Sequence, residues 1–220
     1  MGRLLVLRPE PGASATVDRA RHYGFDAIAV PLFELEPVAW EVPEPQRFDG
    51  LLLTSANAVR WGGEQLARLR SLKVFAVGDA TARAAIEAGF AIAKTGTAGV
   101  DRLLESMDPE LRLLHLCGFD RRQPDAPRQE ISPLIVYRSK PIERPGFAGL
   151  PADVALIHSP EAGRRLAELV SNREAISIVA ISMAAARAAG EGWAAVKAAS
   201  VPNDEALLAL ASSLCNKPAP

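Results

Sequence analysis

The chain has 220 residues, 49% of them hydrophobic and 5% aromatic, with 25 basic against 26 acidic side chains. That length buries a real core and accommodates two small domains, while near-zero net charge and few rings argue against a nucleic-acid surface of basic patches and stacking aromatics. The apolar run Leu4 to Leu7 stops at Arg8-Pro9, too short for a signal peptide, and no later stretch reaches the length of a membrane span, so a cytoplasmic location with no membrane partner is the default expectation.

Runs rich in Val, Ile and Leu alternate with segments of helical apolar spacing, the pattern of an α/β protein with parallel sheets. Strands are predicted at 3–8, 26–30, 50–54, 73–77, 91–94, 112–116, 133–137, 153–158, 176–181 and 194–197, with helices in most gaps. Gly24, Gly89 and Gly190 follow helical runs where a left-handed residue is wanted, and Asn57, Asp79, Ser159 and Asn203 stand near helix starts as cap candidates.

Residues 49–107 and 153–211 repeat one another. Asp49-Gly-Leu-Leu-Leu-Thr54-Ser55 faces Asp153-Val-Ala-Leu-Ile-His158-Ser159, an offset of 104, and Val74 to Arg83 faces Ile178 to Arg187 at the same offset. After a slip of one residue, Gly89-Phe90 faces Gly192-Trp193 and Lys94 faces Lys197. The second copy has only three strands, so the strand-helix-strand segment 1–37 is expected to complete its sheet. The expectation is two similar doubly wound parallel-sheet domains, 1–37 with 141–220 and 46–138, joined by Pro-rich linkers at about 38–45 and 139–150, with a ligand cleft between them.

Four turns repeat the theme of an apolar strand running into small polar residues and then a helix. They are Thr54-Ser55-Ala56-Asn57, Gly78-Asp79-Ala80-Thr81, His158-Ser159-Pro160 and Ser182-Met183-Ala184. Ligands of open α/β sheets sit at the carboxyl ends of strands, and helix starts offer backbone N–H groups that attract anions. A polyanionic small molecule is therefore the expected ligand; the plainer reading is that these polar residues only cap helices. Arg8, directly after the first strand, is a further candidate, as is the pair Arg121-Arg122. Cys117 and Cys215 have neither disulfide nor zinc spacing, and His22, His115 and His158 are not spaced as metal ligands, so no metal is expected. Of the histidines, His158 is the one placed to see the cleft, and a structural role suits the other two. No Gly-rich nucleotide motif and no GxSxG elbow is present, and no catalytic side chain is assigned.

The turns Thr54-Ser55-Ala56-Asn57-Ala58-Val59 and Ala76-Val77-Gly78-Asp79-Ala80-Thr81-Ala82, the following Gly89, the strand end Val136-Tyr137 and the leading Leu7-Arg8-Pro9 resemble the uroporphyrinogen-III synthases over essentially the whole chain. The resemblance implies a cofactor-free, monomeric enzyme acting on hydroxymethylbilane, a linear tetrapyrrole with eight carboxylates, and in transient contact with the enzyme that makes it. It also implies the family reaction, closure of the bilane with inversion of its last ring. The chain departs from the family pattern at Cys117, where an arginine is common, and at Ser182-Met183-Ala184-Ala185, where Gly-Pro-Thr-Thr is common; Arg164 and Arg165 occupy the region of a tyrosine found in some members. The altered Ser182 turn motivates an alternative, a non-catalytic relative that binds an anionic tetrapyrrole or another small acid.

Overall fold

A computed structural model describes residues 3–121, 123–146 and 153–215. Its first elements are β1 (Arg3–Val6), α1 (Gly12–His22), β2 (Asp26–Ala29), β3 (Phe33–Pro37), β4 (Gly50–Leu53), α2 (Ala56–Trp61), β5 (Val74–Val77) and α3 (Asp79–Glu87). There follow β6 (Ile92–Gly96), α4 (Val100–Glu105), β7 (Arg112–Gly118) and β8 (Glu130–Pro141). The last are β9 (Val154–Ile157), α5 (Pro160–Leu169), β10 (Ser177–Ala180), α6 (Met183–Ala189), β11 (Ala195–Ala198) and α7 (Asp204–Leu214). They group into two compact units, unit 1 (Met1–Glu34 with Lys140–Pro220) and unit 2 (Leu35–Ser139).

Unit 1 holds a parallel sheet in the order β2-β1-β9-β10-β11. Unit 2 holds the order β3-β8-β7-β4-β5-β6, in which β8 through β6 are parallel. Each five-stranded parallel portion is covered on both faces, which is why the central strands β4 (GLLL) and β9 (VALI) are buried at every position. In unit 1, α5 and α6 cover one face and α1 and α7 the other. In unit 2, α2 and α3 cover one face and α4 the other.

The two sheets are circular permutations of one arrangement. The repeated strands β4-β5-β6 and β9-β10-β11 are each extended by a pair, β7-β8 after the repeat in unit 2 and β1-β2 before it in unit 1. Side-chain chemistry supports that equivalence. Asp49 and Asp153 occupy the same place in the repeat, and each takes a 2.8 Å hydrogen bond from the backbone N–H of the arginine that opens the neighbouring strand, Arg112 and Arg3 respectively.

Strand β3 was not foreseen, and β8 extends beyond the predicted 133–137 at both ends. The two pair with each other. The contacts Val38 N–H to Val136 O, Glu36 with Arg138, Glu34 with Lys140, and Ile142 N–H to Leu32 O step in opposite directions along the two segments, so the pairing is antiparallel. The divisions between units fall inside these two strands, at Glu34/Leu35 and Ser139/Lys140. Of the second expected linker, residues 147–150 lie outside the described residues.

Among the described residues no helix is long and apolar enough to cross a membrane, and no group of three or more His, Cys, Asp or Glu side chains is placed to hold a metal.

Candidate functional site

The order β2-β1-β9-β10-β11 is the doubly wound arrangement that changes direction between its second and third strands, and ligands of such sheets sit beyond the carboxyl ends at that point. In unit 1 the place lies between β1 and β9, and in unit 2 between β7 and β4. Register makes the two comparable residue by residue. Leu4 pairs with Val154 as Leu113 pairs with Gly50, so Arg8 corresponds to Cys117 and His158 to Thr54. Equivalent backbones thus carry unlike chemistry.

In unit 2 the Thr54 hydroxyl lies 3.0 Å from Nε2 of His115, which is 1% exposed and stands in the strand where unit 1 has Val6. Burial, aided by the Arg121 charge, lowers the His115 pKa from 6.5 to about 4, so the ring is neutral at physiological pH. Among the described residues the crossover from β7 to β8 has no helix, unlike the α1 crossover of unit 1, and a cavity of about 220 Å³ lies beside His115 and Arg121. Cys117 is 2% exposed, and burial raises its thiol pKa, so it is an inert interior group. Next to it the Tyr137 ring lies against Gly118, where an added Cβ would come within 2.7 Å of the ring. Burial also raises the Tyr137 hydroxyl pKa, with the Ser55 hydroxyl pulling the other way. Phe119, beyond the end of β7, is 64% exposed.

In unit 1 a charged network occupies the same place. Asp204, the first residue of α7, accepts from Thr16 Oγ1 at 2.7 Å and from Arg19 Nη1 at 2.5 Å on one oxygen. Its other oxygen takes His158 Nε2 at 3.2 Å and Arg8 Nη1 at 3.5 Å. Burial opposes ionisation of Asp204, but the hydrogen bonds from His158 and Thr16 and the nearby Arg8 charge outweigh it, and the carboxyl stays well below the usual carboxylate range. Burial pushes the His158 pKa down. A carboxylate only accepts, so the neutral imidazole carries its proton on Nε2 and donates it to Asp204. Two guanidinium groups against one carboxylate leave this corner net positive.

The polar turns divide by role. Ser55, Ser159 and Ser182 are helix caps whose hydroxyls accept from the N–H groups of Asn57, Ala162 and Ala185, and Asn203 caps α7 in the same way. Asn57 is not a cap: it lies inside α2, and its side chain accepts from Arg60. Asp79 likewise is the first helical residue after Gly78 and makes no side-chain cap. Thr81 is 5% exposed and turns into the core of unit 2. The Gly78 carbonyl takes the N–H groups of Thr81 and Ala82, while those of exposed Asp79 and Ala80 belong to the first turn and have no acceptor within the helix. Gly78 itself has φ +84°, and an added Cβ there would meet no protein atom within 4 Å. Pro160, Met183 and Ala184 are exposed at the starts of α5 and α6. His158 is held by Asp204 with its side chain 8% exposed, so it presents little surface. Arg122 lies outside the described residues.

Sequence reasoning missed Asp204, Thr16 and Arg19 as members of the unit 1 corner, and missed the contact of His115 with Thr54. Arg8 and Asp204 are 196 positions apart, and no local pattern links them.

The profile of the family described as "Uroporphyrinogen-III synthase HemD" matches residues 14–209. A uroporphyrinogen-III synthase of Chlorobaculum parvum is 33% identical over 90 residues, covering 37% of this chain and 37% of that protein. A putative uroporphyrinogen-III synthase of Archaeoglobus fulgidus is 39% identical over 80 residues, covering 36% and 33%. These matches thus span about a third of the relatives' lengths. Among solved structures, a uroporphyrinogen-III synthetase from Helicobacter pylori aligns with a TM-score of 0.65 at 18% identity, over 97% of this chain and 100% of that one. A mutant uroporphyrinogen III synthase from Thermus thermophilus aligns at 0.54 and 20% identity, over 98% and 99%. These two share the fold, and the profile, which runs from α1 into α7 across both sheets, settles the kinship: the chain belongs to the uroporphyrinogen-III synthase HemD family.

Proposed function

We propose that this protein closes hydroxymethylbilane to uroporphyrinogen III, inverting the last pyrrole ring. The observation that carries this reading is the family match over residues 14–209. The hydroxyl of the hydroxymethyl group leaves as water, and the carbon that carried it becomes the exocyclic methylene of an azafulvene. The substituted carbon of the last ring attacks it, and the resulting spiro intermediate fragments and recloses with that ring inverted. Unassisted bilane closes without inversion, so the protein's task is to choose which carbon meets the azafulvene, a matter of positioning more than of strong acid or base.

The candidate residues suit that task. Within each unit helix-start N–H groups suit carboxylates of an octa-acid, at Gly78-Asp79-Ala80 and Thr54-Ser55 in unit 2 and at Ser159-Pro160 and Ser182-Met183-Ala184 in unit 1, where the net positive corner at Arg8 attracts further ones. His158 and Asn57 support these turns from within, and buried Thr81 packs the helix whose start is used. Exposed Phe119 and Met183, both beyond strand carboxyl ends, offer apolar surface to the uncharged parts of the pyrrole rings. Supporting a monomeric, cytoplasmic enzyme that receives its substrate from a partner is only the family resemblance.

The test is to mix freshly generated hydroxymethylbilane with the protein, oxidise the products and separate the porphyrin isomers. Mainly isomer III is expected. Isomer I alone, formed at the spontaneous rate, would overturn the activity and leave a binding protein.

A further inference from the structure

We infer that Asp204 is a positioning residue that holds the Arg8 guanidinium in place beyond β1, so that its outward side receives one carboxylate of the substrate. The inference rests on the proposed reading for the identity of that substrate.

Arg8 is fixed on several sides. Nη1 lies 3.5 Å from both Thr16 Oγ1 and Asp204 Oδ1, and the guanidinium rests over Gly12, where an added Cβ would come within 2.5 Å of Nε. Asp204 has only 10% of its side chain exposed, while 37% of Arg8 remains exposed. The buried carboxylate therefore serves the interior, and the arginine presents the remainder of its planar fork, the geometry that recognises carboxylates. Asp204 is itself held by Thr16, Arg19 and His158, so it is not free to follow a moving arginine. Four side chains, two from α1 and one from each of the turns after β1 and β9, converge on a single carboxylate. A helix-start acid needed only to complement the helix dipole would not require them. In unit 2 the corresponding strand end carries buried Cys117, so this contact belongs to unit 1 alone.

The experiment compares Asp204→Asn, Gly12→Ala, Arg8→Ala and the double variant Asp204→Asn/Arg8→Ala. Gly12→Ala displaces the guanidinium while leaving every charge in place, and it reports on the proposal even if Asp204→Asn folds poorly. Two readouts are taken: KM and kcat for isomer III formation from hydroxymethylbilane, and Kd for uroporphyrin as a stable octa-acid. Each single variant is expected to raise KM and Kd about tenfold, the scale of one charge-assisted hydrogen bond, with kcat little changed. The double variant is expected to match Arg8→Ala, because Asp204 acts through Arg8. Unchanged KM and Kd in Gly12→Ala and Arg8→Ala, or additive losses in the double variant, would overturn the proposal. If the wild-type protein yields only isomer I, yet uroporphyrin binding keeps this dependence, the catalytic reading fails and the carboxylate contact stands.

Discussion

His115 shows how one interior side chain makes stability depend on pH. Its folded pKa is about 4 against 6.5 when solvated, so the folded protein favours the neutral ring. Between those values the unfolded chain binds the extra proton. Stability is complete above pH 6.5 and falls as pH drops toward 4, by up to about 3 kcal/mol at 1.4 kcal/mol per pKa unit. The lowered pKa of His158 acts in the same sense below 6.5, and that of Asp204 does so below the ordinary carboxylate range. Unit 1 holds a valine, Val6, at the equivalent strand position, so valine is the substitution to try. His115→Val should leave Thr54, which is half-buried, to find water, and should reduce the loss of thermal stability between pH 7 and pH 5. Melting temperatures of both proteins at the two pH values check this; an undiminished loss in the variant would place the acid sensitivity elsewhere.

At the scale of elements, α5 and α6 meet backbone against backbone at Gly163. A Cβ added at Gly163 would sit 2.9 Å from the Ala185 carbonyl oxygen and 3.0 Å from the Ala189 nitrogen, both backbone atoms that cannot swing aside. Alanine at a helix interior gains about 1 kcal/mol over glycine by propensity, while forcing two backbones apart costs about 1–3 kcal/mol. The clash should win, so Gly163→Ala is expected to lower the denaturant midpoint; a raised midpoint would mean that the helices separate easily. Gly78 poses the opposite case, with space around it but φ +84° and ψ 147°. Gly78→Ala is expected to cost about 1–3 kcal/mol by backbone strain alone, and to weaken octa-acid binding as well, measured as Kd for uroporphyrin. A stability loss without any change in Kd would remove this turn from the ligand contact.

These elements also show what could be read from sequence. Strands such as Leu51-Leu52-Leu53 and Val154 to Ile157 announced themselves because burial on both faces demands unbroken apolar runs. The segment Phe33-Glu-Leu-Glu-Pro37 alternates on a scale too short to separate from a Pro-containing linker, and its partner lies a hundred residues away. Ser159 and Asn203 were legible as caps because capping is a local interaction. The network around Asp204 was not, because Thr16, Arg19 and Arg8 reach it only once β1 lies beside β9.

On the scale of the whole molecule, the permuted repeat decides which part of the chain is self-sufficient. The core around Leu51, Val74 and Val136 and the smaller one around Leu52, Leu103 and Leu113 draw only on unit 2, whose chain is continuous from Leu35 to Ser139. The cores around Leu5 and Ile178 and around Leu4 and Leu208 draw only on unit 1, whose two chain segments are joined through unit 2. A unit with its own two-faced core and an uninterrupted chain meets the requirements for independent folding. The fragment 35–139 is therefore expected to unfold cooperatively on heating, with α/β circular dichroism, and to form no isomer III, since it lacks the turns of β9 and β10 and the Arg8 corner. The fragment 140–215 has β9, β10 and β11 but lacks β1, which lies between β9 and β2 in the sheet and supplies Leu4, Leu5 and Val6 to its cores, and should remain unfolded until the 1–34 segment is supplied. A fragment 35–139 that melts without cooperativity would show that unit 2 depends on contacts outside its own core, and the independence argued from the core clusters would fail.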